Sequence, residues 1–569
     1  MKRGLLIGLA LMPVLYYVVT VLAYAYDFPY MDDYPTVVDF LNRLPTATTI
    51  GQKASLLMEQ NNFHRLVLVK LIAWLDLALT GSVDFRLLQY VGLAFLLLTA
   101  GLLWLAMTTP NPLLSKEGAF SASASVAPSL LRRGLGVVFL PALYLLFQFQ
   151  GWNIAFWGIV AVSNVGAPAL ALLAFWLASQ KQATWAIVVG LVTLFTNGNG
   201  MLVLPLLVAG WAMQGRWRWV LITLAVTLPA LWAYFLHYEN PAGPSLGTLL
   251  RPEKLVHLLA LDTAFLGALV YHPAVPWLPI GLGSLTLLWM TYLLLIRYDR
   301  TNPTLFWLLV FLHLSGLMLA VNRIQNDTSI VFASRYRNIT ALHIAATYLT
   351  VAQVLAQRRV QPAPLWRGWQ TTFVGLAVLG TFGLWGVSNW TYHSKIVRFR
   401  ELKQTDNLLW QRYGQIRACA PQYQPVRRLS DLARRGYFKP ETPSLTRLQS
   451  QPVASVPTTT PGDSLQYAVD LKRVDDGFLV VSGWAKVAGR KANFNDTYVG
   501  VQRPDGWHYY TTLFHQRLDN DDSANDKDTG FTAIIPLTGK MDAANLPLAI
   551  FVKSGRFAAF KVLKADKDR

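Results

Sequence analysis

Residues 1–35, MKRGLLIGLALMPVLYYVVTVLAYAYDFPYMDDYP, join an apolar run to a turn-rich acidic stretch. Their reading decides the fold, because about 20 consecutive apolar residues suffice to cross a bilayer. The small-residue Ala23-Tyr24-Ala25 could end a signal peptide, but the apolar core is longer than a typical h-region, so the run reads as an uncleaved anchor. Lys2 and Arg3 set its start on the cytoplasmic side. Asp27, Asp32 and Asp33 then emerge on the external face, among aromatics and prolines.

The rest of the chain fits a membrane protein. Of 569 residues, 53% are apolar and only 14% charged, and long apolar runs recur until about residue 391 and then stop. The net charge of +19 lies in short loops and one connecting segment. Membrane topology therefore accounts for it, a lipid bilayer is the implied partner, and nucleic acid is not. A single cysteine, Cys419, excludes an intramolecular disulfide framework, and no Cys/His cluster is spaced for zinc.

Two apolar stretches decide the topology. Residues 66–80 carry Lys70 and Asp76, and residues 255–271 carry His257 and Asp262. Both read as surface or interfacial segments, which keeps Arg297 and Arg300 inside. Eleven spans result, near 5–26, 87–107, 135–150, 156–178, 183–197, 201–214, 219–238, 277–296, 304–321, 338–357 and 371–391. The external loops are 27–84, 239–276 and 322–337. Counting both stretches as spans gives thirteen and leaves the two ends where they are.

The expected organisation is a helical polytopic membrane module over 1–391, a basic juxtamembrane helix and linker over 392–460, and an external domain over 461–569. In that last segment seven alternating runs, LQYAVDL, GFLVVSGWAKV, DTYVGVQ, HYYTTLF, FTAIIPL, LAIFVKSG and RFAAFKVL, predict an all-β antiparallel sandwich. The aromatics of GWHYY and SGWAKV are expected in its core, and the acidic run 519–528 reads as a solvated loop. TNGNG, residues 196–200, reads as a tight turn rather than a phosphate loop.

The unusual polar groups at apolar boundaries all fall on the external face of this topology. Asp27, Asp32 and Asp33 leave the first helix; Glu59, Asn62, His64 and Arg65 stand in EQNNFHR; Arg323, Arg335, Tyr336 and Arg337 stand in NRIQNDTSIVFASRYRN. His257 lies in the loop between. A carboxylate can serve as base or hold a divalent cation, and His and Arg can neutralise a phosphate.

In their order and shared face, MDDYP, EQNNFHRL and ASRYRN resemble the motifs of polytopic bacterial glycosyltransferases of the GT-C superfamily, over most of residues 1–391. The resemblance implies transfer of a sugar from a polyprenyl-phosphate donor to a glycan or protein acceptor outside the cytoplasmic membrane. It implies an aspartate base, with a slight preference for Asp33 over Asp32, and His64, Arg65, Arg335 and Arg337, with Tyr336, at the departing phosphate. One departure is Phe63, which stands directly before His64 where related sequences carry an acid. Metal dependence, including a divalent cation, is thereby left open, and no other cofactor is implied. Two other readings are a lipid-linked glycan transporter or flippase, which would put ionisable groups such as His313 deep in the spans, and a glycan polymerase or ligase.

Overall fold

The computed structural model describes residues 3–109, 136–239, 246–249, 251–326, 328–357, 364–453, 464–489, 496–517, 527–537, 546–554 and 557–563. The expected cytoplasmic loop 108–134, the linker end 454–463 and most of the acidic run 519–528 lie outside the described residues. The chain divides into two compact units. Met1–Ala25, Arg43–Asp76 and Arg86–His393 form the first; Tyr26–Asn42, Leu77–Phe85 and Ser394–Arg569 form the second.

Helices make up the first unit. Among the described residues nine helices in the chain are long and apolar enough to cross a membrane, and they coincide with nine of the eleven expected spans. The other two, 183–197 and 201–214, are corrected to short helices, Ala183–Leu194 and Val203–Met213, of 12 and 11 residues. At 1.5 Å per residue each covers roughly 17 Å, well short of a 30 Å hydrocarbon core. TNGNG interrupts them as the expected turn, with the Asn197 side chain accepting from the Gly198 amide at 2.8 Å. Residues 66–80 and 255–271 form the helices Val67–Thr80 and Pro252–Leu266, also below span length.

Lipid-facing character shows in what the helices leave uncovered. On Trp217–Phe235, Leu221, Leu228 and Trp232 are 67%, 64% and 68% exposed. A water-soluble protein rarely presents such a continuous apolar surface. Where helices meet, small residues admit close backbone approach. A Cβ on Gly283 would sit 1.9 Å from the Thr263 carbonyl oxygen, and one on Gly267 would sit 2.0 Å from that of Pro279.

The C-terminal part of the second unit is the expected antiparallel β-structure in two sheets. The strands are β1 (Pro452–Val453), β2 (Leu465–Asp475), β3 (Phe478–Val487), β4 (Asp496–Arg503), β5 (Gly506–Thr511), β6 (Leu513–His515), β7 (Gly530–Pro536), β8 (Leu548–Ser554) and β9 (Phe557–Leu563). One sheet runs β1-β5-β4-β8-β9 and the other β2-β3-β7-β6. All seven alternating runs are strands, and HYYTTLF feeds two of them, one in each sheet. Leu479, Val481, Val499, Phe531, Ile550 and Val552 meet in the core.

Two expectations need correction here. Of the aromatics assigned to the core, Tyr510 enters it, whereas Trp507 and Tyr509 alternate onto the outer face, their rings stacked 6.5 Å apart. Trp484 alternates with the core residues Leu479, Val481 and Ala485 and points outward too. The span near 371–391 and the basic helix after residue 392 are one element, Pro364–Tyr413, of 50 residues. No proline interrupts it, and it stops at Gly414, whose φ of +65° lets the amides of Gly414 and Gln415 reach back to the carbonyls of Trp410 and Leu409.

Replacing Gly283 with Ala should force the Pro252–Leu266 and Leu278–Leu295 helices apart and destabilise the protein by about 1–3 kcal/mol. Gly281, on the same helix with nothing within 4 Å of its Cβ position, is the matched control. The denaturation midpoint in detergent should fall for Gly283→Ala and hold for Gly281→Ala.

Candidate functional site

The acid turn belongs to the second unit. Met31 adopts a left-handed conformation, φ +49°, which bends the chain so that the Asp33 carboxylate accepts from the Tyr30 amide at 2.9 Å. Asp33 is fully buried. Lys403, also buried, is attracted to Asp33 and Asp27. Asp27 accepts from the Phe85 amide at 2.8 Å. Asp32 differs from both. It is partly exposed, and its Oδ1 accepts from the Tyr423 hydroxyl at 3.2 Å. Burial, then the Asp32 charge, pushes the Tyr423 hydroxyl up to about 12, so it stays a donor at neutral pH.

Asp406 stands behind this turn, buried, with its carboxylate accepting from the amides of Arg417 and Ala418 at 3.1 and 3.0 Å. Those bonds fix the loop bearing Cys419, whose thiol burial and the charges of Asp406, Asp32 and Asp33 push far above its ordinary range. Lys403, Asp406 and Tyr423 went unnoticed in the sequence. They follow the acid turn by about 370 to 390 positions, and nothing in their local pattern points back to it.

A second cluster forms in the first unit. Asn62, at φ +50°, closes a tight turn in which Asn61 and His64 exchange backbone hydrogen bonds of 2.8 and 3.0 Å. This presents the His64 ring to the TNGNG turn: a Cβ on Gly198 would lie 2.5 Å from His64 Nδ1. From there Asn197 donates to Asn164 at 3.0 Å, and Asn164 donates to the Arg335 carbonyl at 3.1 Å. His64 Nδ1 and Arg335 Nε are buried atoms with no hydrogen-bond partner. Burial, then the Arg323 charge, pushes the His64 ring down to about 4, so it is neutral at pH 7. Among the described residues no carboxylate pairs with Arg323 or Arg335. TNGNG and Asn164 thus join a site that sequence reasoning did not give them; a glycine pressed against a histidine leaves no mark in the pattern.

Other expected site residues have different tasks. Arg65 is buried and its guanidinium donates to the carbonyls of Met58, Tyr234 and Leu236, which makes it a backbone clamp. Glu59 holds Arg43 in an exposed bidentate pair at 2.7 and 2.8 Å. His257 contacts the Asn326 carbonyl at 3.0 Å. Arg337 turns away from His64 to Gln150 and Tyr392, each at 3.2 Å. The Tyr336 ring lies 5.1 Å from the Arg335 guanidinium and 6.2 Å from the Phe265 ring. Among the described residues no group of three or more His, Cys, Asp or Glu is placed to hold a metal ion.

His64 carries a pH dependence. Its unfolded value of 6.5 exceeds its folded value of about 4, so between these the unfolded chain binds the extra proton. Stability present above pH 6.5 is therefore lost as pH falls toward 4, with a slope of at most about 1.4 kcal/mol per pH unit. Denaturation midpoints of His64→Gln measured from pH 8 to 4 should show a shallower fall than the native chain; an equal fall assigns the loss to other groups.

Comparison with protein-family models, with curated proteins and with solved structures finds no match for this chain.

Proposed function

We propose that this chain is a membrane-embedded glycosyltransferase of the GT-C type, moving a sugar from a polyprenyl-phosphate donor to a hydroxyl of an external glycan or protein acceptor. The observation that carries the reading is the first unit's cationic cluster. Arg323 and Arg335 have no carboxylate partner among the described residues and stand with a neutral His64 whose Nδ1 is unpartnered. Buried or half-buried cations normally have a counter-charge, and the donor's phosphodiester, which leaves as a phosphate monoester, supplies one with oxygens to accept from each guanidinium.

In the reaction the acceptor oxygen attacks the anomeric carbon, the bond from that carbon to the phosphate oxygen breaks, and configuration inverts. A base takes the hydroxyl proton while the lipid phosphate leaves with the electron pair. Asp32 is the better base of the pair by access: it is partly exposed, with Tyr423 donating to it, whereas Asp33 is sealed in and bonded to an amide. Within the first unit, taken by itself, Arg335 and Arg323 are the groups suited to stabilise the charge that grows on the phosphate. The topology fits with eleven membrane segments, or with nine and a short helical pair that enters and returns, since both counts are odd. Either way a cytoplasmic start leaves the β domain external, at a bacterial cell envelope.

A transporter has one specific observation in its favour. In the first unit the His313 and His343 rings lie 4.7 Å apart with both Nε2 atoms buried and unpartnered, and Asp262 Oδ1 is likewise unpartnered. Burial alone pushes the Asp262 carboxyl up to about 7. Such groups suit proton coupling. They do not account for the unbalanced arginines, so transfer remains the primary reading.

Incubating the purified protein with a radiolabelled polyprenyl-phosphate sugar and crude envelope acceptor tests both roles. Asp32→Asn should lower turnover by about 10²–10⁴-fold, and Arg335→Ala by about 10²–10³-fold, with protein levels unchanged. Full activity in both variants would sink the mechanism.

A further inference from the structure

Arg337 leads to a second polar cluster in the first unit that the proposed transfer has not used. Gln148 is 1% exposed; its carbonyl oxygen accepts from Ser388 and from the Gln150 amide, both at 2.7 Å. Its Nε2 has no partner. Gln150 accepts from Arg337, and Arg337 also donates to the Tyr392 hydroxyl and the Phe332 carbonyl. Next to Arg337, Asn338 has a buried Nδ2 with no hydrogen-bond partner. Asn389 is 6% exposed, and neither its oxygen nor its nitrogen has a partner.

These groups face one another. Trp385, Ser388, Asn389 and Tyr392 are spaced as a single stripe of their helix. Three of them contact the same neighbourhood: Trp385 donates to the Phe147 carbonyl at 2.9 Å, Ser388 to Gln148, and Tyr392 accepts from Arg337. Aromatic rings wall the cluster, with Tyr17 stacked on Phe149 at 4.4 Å and Tyr16 set edge-on to Trp385 at 5.6 Å.

The unanswered valences are three amide donors' worth of N–H, on Gln148, Asn338 and Asn389, and one amide acceptor, on Asn389. Native proteins leave few buried polar atoms unsatisfied, and each costs about 1–3 kcal/mol when left so. Among the described residues no carboxylate bonds to Gln148, Asn338, Asn389 or Arg337. A ligand that completes this set must both give and take hydrogen bonds, carry no charge of its own, and lie against rings. A hydroxyl-rich pyranose or furanose has that chemistry.

We propose that Gln148, Asn338 and Asn389, with Arg337 and Tyr392, bind the sugar ring of the lipid-linked donor. This deepens the transferase reading and rests on it for the identity of the ligand. The chain spacing agrees. Arg335 belongs to the phosphate cluster and Arg337 to the amide cluster, two residues apart on either side of Tyr336, while donor phosphate and sugar are joined through a single oxygen.

Two probes separate the clusters, both applied to the full chain in lipid nanodiscs with binding read by thermal shift. One is a short-chain polyprenyl phosphate without sugar; the other is a panel of alkyl hexosides and pentosides without phosphate, kept below micelle-forming concentrations. At least one glycoside should bind the native chain, and Asn389→Leu and Gln148→Leu should weaken it at least tenfold while binding of polyprenyl phosphate stays within twofold. Arg335→Ala should do the reverse. Should the leucine variants fail to fold, the near-isosteric Asn389→Asp decides, with the same tenfold loss expected. No glycoside bound to the native chain, or equal binding to native and variant chains, overturns the inference. Glycoside binding without phosphate binding overturns the phosphate reading of Arg335 and leaves the sugar cluster standing.

Discussion

A polar side chain carried into an apolar helical interior has no water to fall back on, and the first unit is arranged around that constraint. Its cations meet it in two ways. Lys70 directs its ammonium at the carbonyls of Leu56, Leu57 and Glu59, where the helix Ile50–Met58 leaves oxygens unpaired at its end. Arg65 does the same for the end of Trp217–Phe235 through Tyr234 and Leu236. Both are complete without any outside group. Among the described residues Arg323 and Arg335 have no carboxylate to answer them, and the amides of Gln148, Asn338 and Asn389 have at most part of an answer. Sorting residues by whether the fold satisfies them therefore separates structural cations from functional candidates more sharply than residue type does.

That sorting explains why the membrane module could be read from sequence but its site only in outline. Nine spans were legible because length and apolarity alone define them. The pair around TNGNG is shorter than its apolarity suggests, because apolar residues continue on both sides of the turn. Conversely, the charge-bearing segments 66–80 and 255–271 were recognised as sub-span because Lys70 and Asp262 interrupt them. EQNNFHR reads as one cluster, yet its histidine and arginine part company: His64 goes to the TNGNG turn and Arg65 to backbone carbonyls. Adjacent residues in a turn point in different directions, and composition does not record which.

The second unit follows the same logic with a different period. β1, Pro452–Val453, lies in the segment expected to be a linker; alternation located every strand from β2 onward, since one face of each must enter the core. It did not show that HYYTTLF breaks at Thr512 to supply both sheets, because alternation persists through the break. Nor did it distinguish Trp507 and Tyr509 from Tyr510, although strict alternation puts neighbours on opposite faces and so forbids all three from sharing the core. The error there was one of weighting hydrophobicity above period.

Paired acids pose the same problem at the scale of two residues. As sequence, Asp32 and Asp33 are interchangeable, and proximity to a membrane surface recommends either as a base. Geometry makes them unlike. One left-handed residue, Met31, turns the chain so that Asp33 points inward to an amide and toward Lys403, leaving Asp32 outward under Tyr423. Burying a carboxylate is tolerable only when its charge is answered, and the buried Asp33 has the Tyr30 amide and the attraction of Lys403. Asp32 is partly exposed, and the Tyr423 hydroxyl donates to it. A base must meet the hydroxyl whose proton it takes; of these two neighbouring aspartates, the partly exposed one is the one that an outside hydroxyl could reach.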